Sequence, residues 1–109
     1  MSRITPESKV KAKVTKVLKE LGVWYFFPLS NGLGKAGIPD IICCVNGVFV
    51  SVETKADKTK KPTQLQLICA DQIKAAGGYW LLVYDDATTD ELRELICLLL
   101  RTPRQSPYN

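Results

Sequence analysis

Residues 37–55 read GIPDIICCVNGVFVSVETK, and this stretch decides the fold of the chain. Two runs of β-forming residues, 41–45 and 48–52, flank Asn46 and Gly47. An Asn-Gly pair between two such runs is the strongest short-range signal for a β-hairpin, because a type I′ turn needs positive φ at both central positions. The stretch therefore predicts two antiparallel strands joined by a tight turn.

The two-residue turn also fixes which residues face each other. Val45 pairs with Val48, and the same register carried outward places Asp40 opposite Glu53, with Cβ atoms roughly 5 Å apart. Lys55 lies two residues beyond Glu53 and points to the same face. Opposed carboxylates repel, and a raised pKa, a neighbouring cation or a bound metal relieves the repulsion. We therefore expect a metal site here; a solvated ion pair between Glu53 and Lys55 is the alternative.

The order of these residues resembles a known nuclease signature. The letters PD at 39–40, followed after a spacer of hairpin length by ETK at 53–55, look like the PD-(D/E)xK motif. With the preceding Gly37 and with Gln64 in the next predicted helix, the pattern is similar to the virus-type replication-repair nuclease (VRR-Nuc) domain. The likeness covers most of the chain, from about residue 7 to residue 84.

The resemblance implies an α/β fold with a restriction-endonuclease-like core, αβββαβ(α), in which helices flank a four-stranded mixed sheet. Hydrophobic periodicity and turn signals predict the same order of elements. They indicate a helix from Pro6 to Gly22, a strand over 23–29, the hairpin, a helix over 62–76, a buried strand over 79–84 and a helix that Thr88 caps. We expect a single domain over residues 1–109, with a frayed tail over 102–109.

The resemblance also implies a chemistry, the metal-dependent hydrolysis of DNA phosphodiester bonds. It implies Mg²⁺ as the cofactor, with Mn²⁺ as a substitute, held by Glu7, Asp40, Glu53 and the main-chain carbonyl of Thr54. It implies a catalytic set of Asp40, Glu53, Lys55 and Gln64. The residues alone give only the convergence of Asp40, Glu53 and Lys55.

Two segments near the motif are candidates for DNA contact. The first is the glycine-rich loop before the hairpin, with Ser30, Asn31 and Lys35. Its formal G-x-G-x-x-G match lacks the helix that a dinucleotide site needs, so we expect no nucleotide cofactor. The second is the loop after the hairpin, with Lys58, Lys60 and Lys61, where contact with phosphates is the expectation and simple solvation is the alternative.

Composition excludes several function classes. The chain of 109 residues contains no histidine, which excludes His-based acid–base catalysis and serine-type triads. Its net charge of +4 permits an anionic partner. The four cysteines lack zinc spacing and predict reduced thiols. No apolar run approaches the ~18 residues of a membrane span. We therefore expect no membrane association and a cytoplasmic location, in a bacterium or a phage-infected cell.

The substrate is an expectation from the resemblance alone. Small standalone members of the family are similar to structure-selective endonucleases that resolve four-way (Holliday) junctions in DNA repair as homodimers, and the apolar third helix is one candidate dimer surface. Two alternatives stay open. One is a nicking or restriction-type nuclease on duplex or flap DNA, and the other is an inactive nuclease-like module that binds DNA or protein.

Overall fold

A computed structural model describes residues 4–29 and 34–104 of the chain. The elements are α1 (Pro6–Glu20), β1 (Trp24–Phe26), β2 (Ile41–Val45), β3 (Val48–Thr54), α2 (Gln64–Ala75), β4 (Tyr79–Val83) and α3 (Asp86–Arg101). One sheet contains the four strands in the order β1-β2-β3-β4. The β3–β4 pair is parallel and the other pairs are antiparallel. The predicted α/β fold with a mixed sheet is confirmed.

The hairpin has the predicted register from Val45–Val48 to Ile41–Val52. Asn46 and Gly47 both adopt positive φ, 52° and 84°. Asn46 also donates hydrogen bonds from Nδ2 to the carbonyls of Leu99 (3.0 Å) and Thr102 (2.7 Å) at the end of α3. The turn residue thus satisfies helix-end carbonyls that have no partner within the helix.

The β2–β3 ladder stops at Ile41, so the expectation that it continues to pair Asp40 with Glu53 is wrong. The amide of Thr54 points away from β4, since the next amide, of Lys55, bonds to β4. A continued ladder would supply Thr54 with a main-chain carbonyl of β2. The side chain of Asp40 supplies the acceptor instead.

One face of the sheet carries the main core. α1 and α3 pack on it, and the buried side chains include Val14, Leu18, Ile41, Val50, Val52, Val83, Leu92 and Ile96. Full burial of one such side chain is worth ~1.5–3 kcal/mol. Cys43 points into this core and Cys44 points out of it, as the alternation of a strand requires. All four cysteines are free thiols, as predicted, and Cys44 is exposed.

α2 lies over the other face and covers only part of it. Its buried residues are Cys69 and Ala70. Leu65 and Ile68 are exposed, although with Cys69 they have the i, i+3, i+4 spacing of one helix face. The edge strand β4 is mostly half-buried, in contrast to the predicted buried strand.

Several helix and strand ends differ from the sequence prediction, most clearly those of α3 and β1. α3 begins at Asp86, because Asp85 is its N-cap and Thr88 is the reciprocal partner in the capping box, not the cap itself. β1 spans three residues, Trp24–Phe26, and ends two residues before Pro28. Residues 105–109 of the predicted tail lie outside the described residues. In the part of the chain that the structure describes, no helix is long and apolar enough to cross a membrane.

The double role of Asn46 gives a stability prediction. Asn46→Gly keeps the positive φ but loses both hydrogen bonds to α3, and it should lower the free energy of unfolding by about 1–2 kcal/mol. Asn46→Ala also forces an alanine into the left-handed region and should cost about 1 kcal/mol more. Urea denaturation of both variants checks this order, and equal stability of Asn46→Ala and wild type would contradict it.

Candidate active site

Asp40 lies in a bend directly before β2, where its side chain bonds to the end of β3. Its Oδ2 accepts hydrogen bonds from the amide (2.9 Å) and the hydroxyl (2.8 Å) of Thr54. The N–H and C=O groups of a strand residue face the same neighbouring strand. The carbonyl of Thr54 therefore also faces the side of Asp40, as the predicted metal site requires.

Glu53 is a buried carboxyl group with a vacant acceptor. The residue is 1% exposed, and its Oε1 accepts a hydrogen bond from Nε2 of Gln66 at 3.2 Å. Its Oε2 is buried and has no hydrogen-bond partner among residues 4–29 and 34–104. An unpaired buried oxygen of this kind costs free energy, and such exceptions in a fold call for a functional explanation.

Burial raises the pKa of the Glu53 carboxyl to about 8, and the neighbouring Asp40 carboxylate adds to the shift through its charge and its hydrogen-bonding oxygen. Lys55 opposes the shift, and Glu7 contributes slightly to it. Four of the predicted site residues therefore lie close enough to influence one another. Asp40, Glu53, Lys55 and Glu7 come together from three different elements of the fold.

Gly37 brings the Asp40 loop against α2. Its φ is +77°, and a Cβ at this position would lie 2.3 Å from the Leu65 carbonyl oxygen and 2.9 Å from the Gln66 amide nitrogen. Only glycine allows this approach, because both atoms belong to the main chain of the helix. The close contact places the glutamine of the first turn of α2 beside the two carboxyl groups.

That glutamine is Gln66, whereas the family resemblance implied Gln64. Gln64 is exposed at the first position of α2. Gln66 contacts Glu53 through Nε2, and its Oε1 accepts from the amide of Thr63 at 2.8 Å. The signal was present in the sequence, since Thr63-x-x-Gln66 is a capping-box pattern. If Thr63 had been taken as the N-cap of α2, the capping box would have identified Gln66 as the glutamine whose side chain is held in place.

The predicted basic residues divide between two cavities. One cavity, of about 500 Å³, is lined by Glu7, Lys55, Ala56, Thr59, Lys60 and Lys61. Glu7 is exposed there, not on the buried face of α1. Lys58 does not line this cavity; its charge acts on Asp85 at the start of α3.

The second cavity, of about 540 Å³, contains Asp40 and Gln66 on one wall and Lys35 on another. Lys11 and Phe27 also line it, and the sequence analysis missed both. The spacing of Lys11 four residues after Glu7 could have identified it, since such residues share a helix face. The other loop candidates, Ser30 and Asn31, lie outside the described residues.

The donor set fits a hard divalent cation. Among the described residues, no three Asp, Glu or Cys side chains form a ready-made metal site. Mg²⁺ typically takes one or two protein carboxylates and completes its shell with water and substrate phosphate. Asp40 with the vacant Oε2 of Glu53 supplies two such carboxylates, and the Thr54 carbonyl supplies a further oxygen.

Comparisons with known proteins identify the fold. No family model matches the sequence, and no curated protein matches it. A solved structure described as "VRR_NUC domain" matches with probability 1.00 and a TM-score of 0.74 at 26% sequence identity, covering 84% of this chain and 97% of that chain. The chain has the VRR-Nuc fold. The resemblance read from the motif is confirmed, and the match supports a nuclease domain family in general.

The raised pKa of Glu53 in this VRR-Nuc fold gives a pH prediction. Its folded-state pKa of about 8 exceeds the ordinary 4.5, so the folded chain holds this proton more tightly than the unfolded chain. The resulting stabilisation is fully present below pH ~4.5 and is lost as the pH rises through 8. Metal-free protein should therefore lose about 2 kcal/mol of unfolding free energy between pH 6 and pH 8.

Glu53→Gln cannot ionise, and it should largely abolish this loss. Denaturation in the presence of a chelator at both pH values is the measurement. The exposed Glu91, changed to Gln, is the matched control and should behave as wild type. The same pH dependence in Glu53→Gln as in wild type would show that Glu53 does not carry the effect.

Proposed function

We propose that this VRR-Nuc domain is a Mg²⁺-dependent endonuclease that hydrolyses DNA phosphodiester bonds. The observation that supports this most is the buried Glu53 carboxyl, whose Oε2 has no partner within the described residues and lies beside Asp40. A purely structural carboxyl group at this depth would be expected to use both oxygens. Protonated Glu53 can donate a hydrogen bond to Asp40, and a cation that replaces this proton would bind the vacant Oε2 and hold both carboxyls in the ionised form.

In this proposal, Asp40, Glu53 and the Thr54 carbonyl hold the metal ion, and Glu7 completes the shell directly or through water. A bound divalent ion supplies a water of lowered pKa and screens charge on the phosphate. The two hydrogen bonds from Thr54 fix the Asp40 carboxylate, and the one from Gln66 fixes Glu53. Mn²⁺ has the same preference for oxygen ligands and would substitute.

Lys55 is the proposed partner of the attacking water. It lines the same cavity as Glu7, and its charge acts on Glu53. An ammonium group at this point would position the water, lower the pKa of the water through its charge and neutralise charge that develops on the phosphate. We assign Gln66 the role of orienting Glu53. Contact of the exposed Gln64 with water or phosphate stays a prediction.

The two cavities suggest a path for the DNA backbone. Lys35 and Lys11 line the cavity that contains Asp40, and Lys60 and Lys61 line the cavity that contains Lys55. Positive charge in both cavities would hold phosphates of the DNA backbone near the carboxyl pair. Lys58 lies away from this path, near Asp85, and we give it no more than a peripheral role.

We propose that the substrate is branched DNA and that the four-way junction is the preferred form. We propose further that the active species is a homodimer in the cytoplasm. The described residues form one small domain with no appended DNA-reading unit, which suits recognition by shape. Symmetric cuts in a junction need two active sites, which a homodimer supplies. Nicking of duplex or flap DNA is the alternative within the enzyme class, and a module that binds without cutting is the alternative outside it.

The uncovered part of the outer sheet face is the proposed dimer surface. Trp24, Cys44 and Phe49 are cross-strand neighbours on β1, β2 and β3. Trp24 is 63% exposed and Phe49 is 44% exposed. Phe26 adds a third exposed ring, 5.5 Å from that of Trp24. An apolar groove of about 400 Å³ continues this face to Ile73 of α2. The third helix, α3, where Leu98 and Leu100 are exposed, is the alternative dimer surface.

Cleavage assays test the enzymatic proposal. Labelled four-way junctions, flaps and linear duplexes of shared sequence should be cut only with Mg²⁺ or Mn²⁺, and the junction fastest. Asp40→Asn and Lys55→Ala should each lower the rate by at least about 100-fold, because they remove a metal ligand and the cation at the attacking water. Glu91→Gln, which removes an exposed carboxylate on α3, is the control and should cut as fast as wild type. Full activity in a folded Asp40→Asn or Lys55→Ala protein would contradict the proposed catalytic roles of these residues.

The dimer surface has its own test by light scattering. Wild type at ~100 µM should have the mass of two chains. A specific dimer typically buries ~1,200–2,000 Å² of surface, and the exposed apolar face would contribute to that area. Trp24→Glu should convert it to a monomer, whereas Leu98→Glu on α3 should leave the dimer intact. The reverse result would move the interface to α3, and a monomeric wild type would refute the homodimer.

A further inference from the structure

Phe27 is an exposed aromatic residue at the edge of the candidate active site. It directly follows β1 and is 46% exposed. Phe27 lines two cavities, and one of them also contains Asp40 and Gln66, so its ring shares a space with the proposed metal-binding carboxylate. None of the roles assigned to the catalytic set uses this ring.

The ring of Phe27 is supported from the protein side. The half-buried Tyr25 packs against it edge-on, with ring centroids 5.7 Å apart and an interplanar angle of 77°. The Nζ atom of Lys11 lies 5.9 Å from the Phe27 centroid. Tyr25 packs against the main core, so the ring rests on a rigid part of the fold.

The charge around Phe27 favours an anionic ligand. Lys11 and Lys35 both line the cavity. The ion pairs among the described residues are Lys13–Asp86 and Arg93–Glu20, so neither of the two lysines is paired there. Their charges are therefore available to phosphates. Phe27 is thus an exposed aromatic ring, with Lys11 over one of its faces and Lys35 lining the same cavity, and proteins bind single-stranded nucleic acid with such combinations of aromatic and basic side chains.

We infer that Phe27 is a stacking platform for a nucleobase that has lost a stacking neighbour at the branch point, next to the scissile phosphate, with Lys11 and Lys35 holding the flanking phosphates. A paired base inside a duplex is stacked on both faces and cannot use the ring, whereas a base at a branch point can. Phenylalanine forms no hydrogen bonds to base edges, so the contact would not read sequence. The inference deepens the proposed function, on which it rests, by supplying a preference for branched DNA.

An abasic scan tests the platform. The cut site on a branched substrate is mapped with wild type, and single abasic residues then replace each nucleotide around it. Wild type should lose ~5–100-fold in kcat/KM at one position, within about two nucleotides of the cut, as expected for one base–aromatic contact. Phe27→Leu should show a similar loss on intact DNA and no further loss with the abasic residue at that position. Phe27→Trp should restore the wild-type pattern.

Tyr79→Leu is the matched control, because Tyr79 is 41% exposed at the start of β4, away from this cavity. It should keep the wild-type abasic profile. Binding of the same substrates by Asp40→Asn should show the same pattern without cleavage. Equal abasic losses in wild type and Phe27→Leu would overturn the platform while leaving the nuclease proposal intact. Absence of cleavage and of DNA binding by wild type would refute the proposed function, and the platform with it.

Discussion

The burial of the Glu53 carboxyl beside Asp40 is the constraint on which the rest of this site depends. A 1% exposed carboxyl with one unpartnered oxygen is unfavourable in a protein of this size, and its raised pKa shows that the ionised form bears the cost. The surrounding structure accommodates it by specific means. Gln66 donates to one oxygen, and the Gly37 loop closes the site by packing main chain against main chain.

The same constraint gives the site its chemical character. Thr54 fixes Asp40, while the buried Oε2 of Glu53 has no hydrogen-bond partner within the described residues. In the proposed function, this arrangement would trade stability of the metal-free protein for a preorganised set of oxygen ligands. Such a trade is typical of functional sites.

The sequence predicted the elements whose signals are local. The Asn46-Gly47 turn determined the hairpin and its register, and the motif suggested the fold that the structural match supports. The errors came from tertiary competition. The Asp40 side chain ended the ladder by taking the Thr54 amide, which no local pattern reveals. Leu65 has helical spacing typical of a core position, yet it is exposed because α2 covers only part of the sheet.

Two other errors were avoidable, because capping boxes mark both helix starts. Thr63 with Gln66, and Asp85 with Thr88, are reciprocal pairs that define where α2 and α3 begin. The first pair identifies the glutamine beside Glu53. Phe27, by contrast, had no sequence signal, since a phenylalanine at the end of a strand is normally core. Only the shared cavity with Asp40 gives it a candidate role.

Calorimetric titration with Mn²⁺ tests the central claim most directly, that Asp40 and Glu53 jointly hold a divalent cation. The account predicts saturable binding by wild type, and binding at least about tenfold weaker in both Asp40→Asn and Glu53→Gln, since each removes one of two carboxylate ligands. Glu91→Gln should bind as wild type does. Unchanged Mn²⁺ affinity in folded Asp40→Asn and Glu53→Gln, or no binding by wild type, would contradict the account.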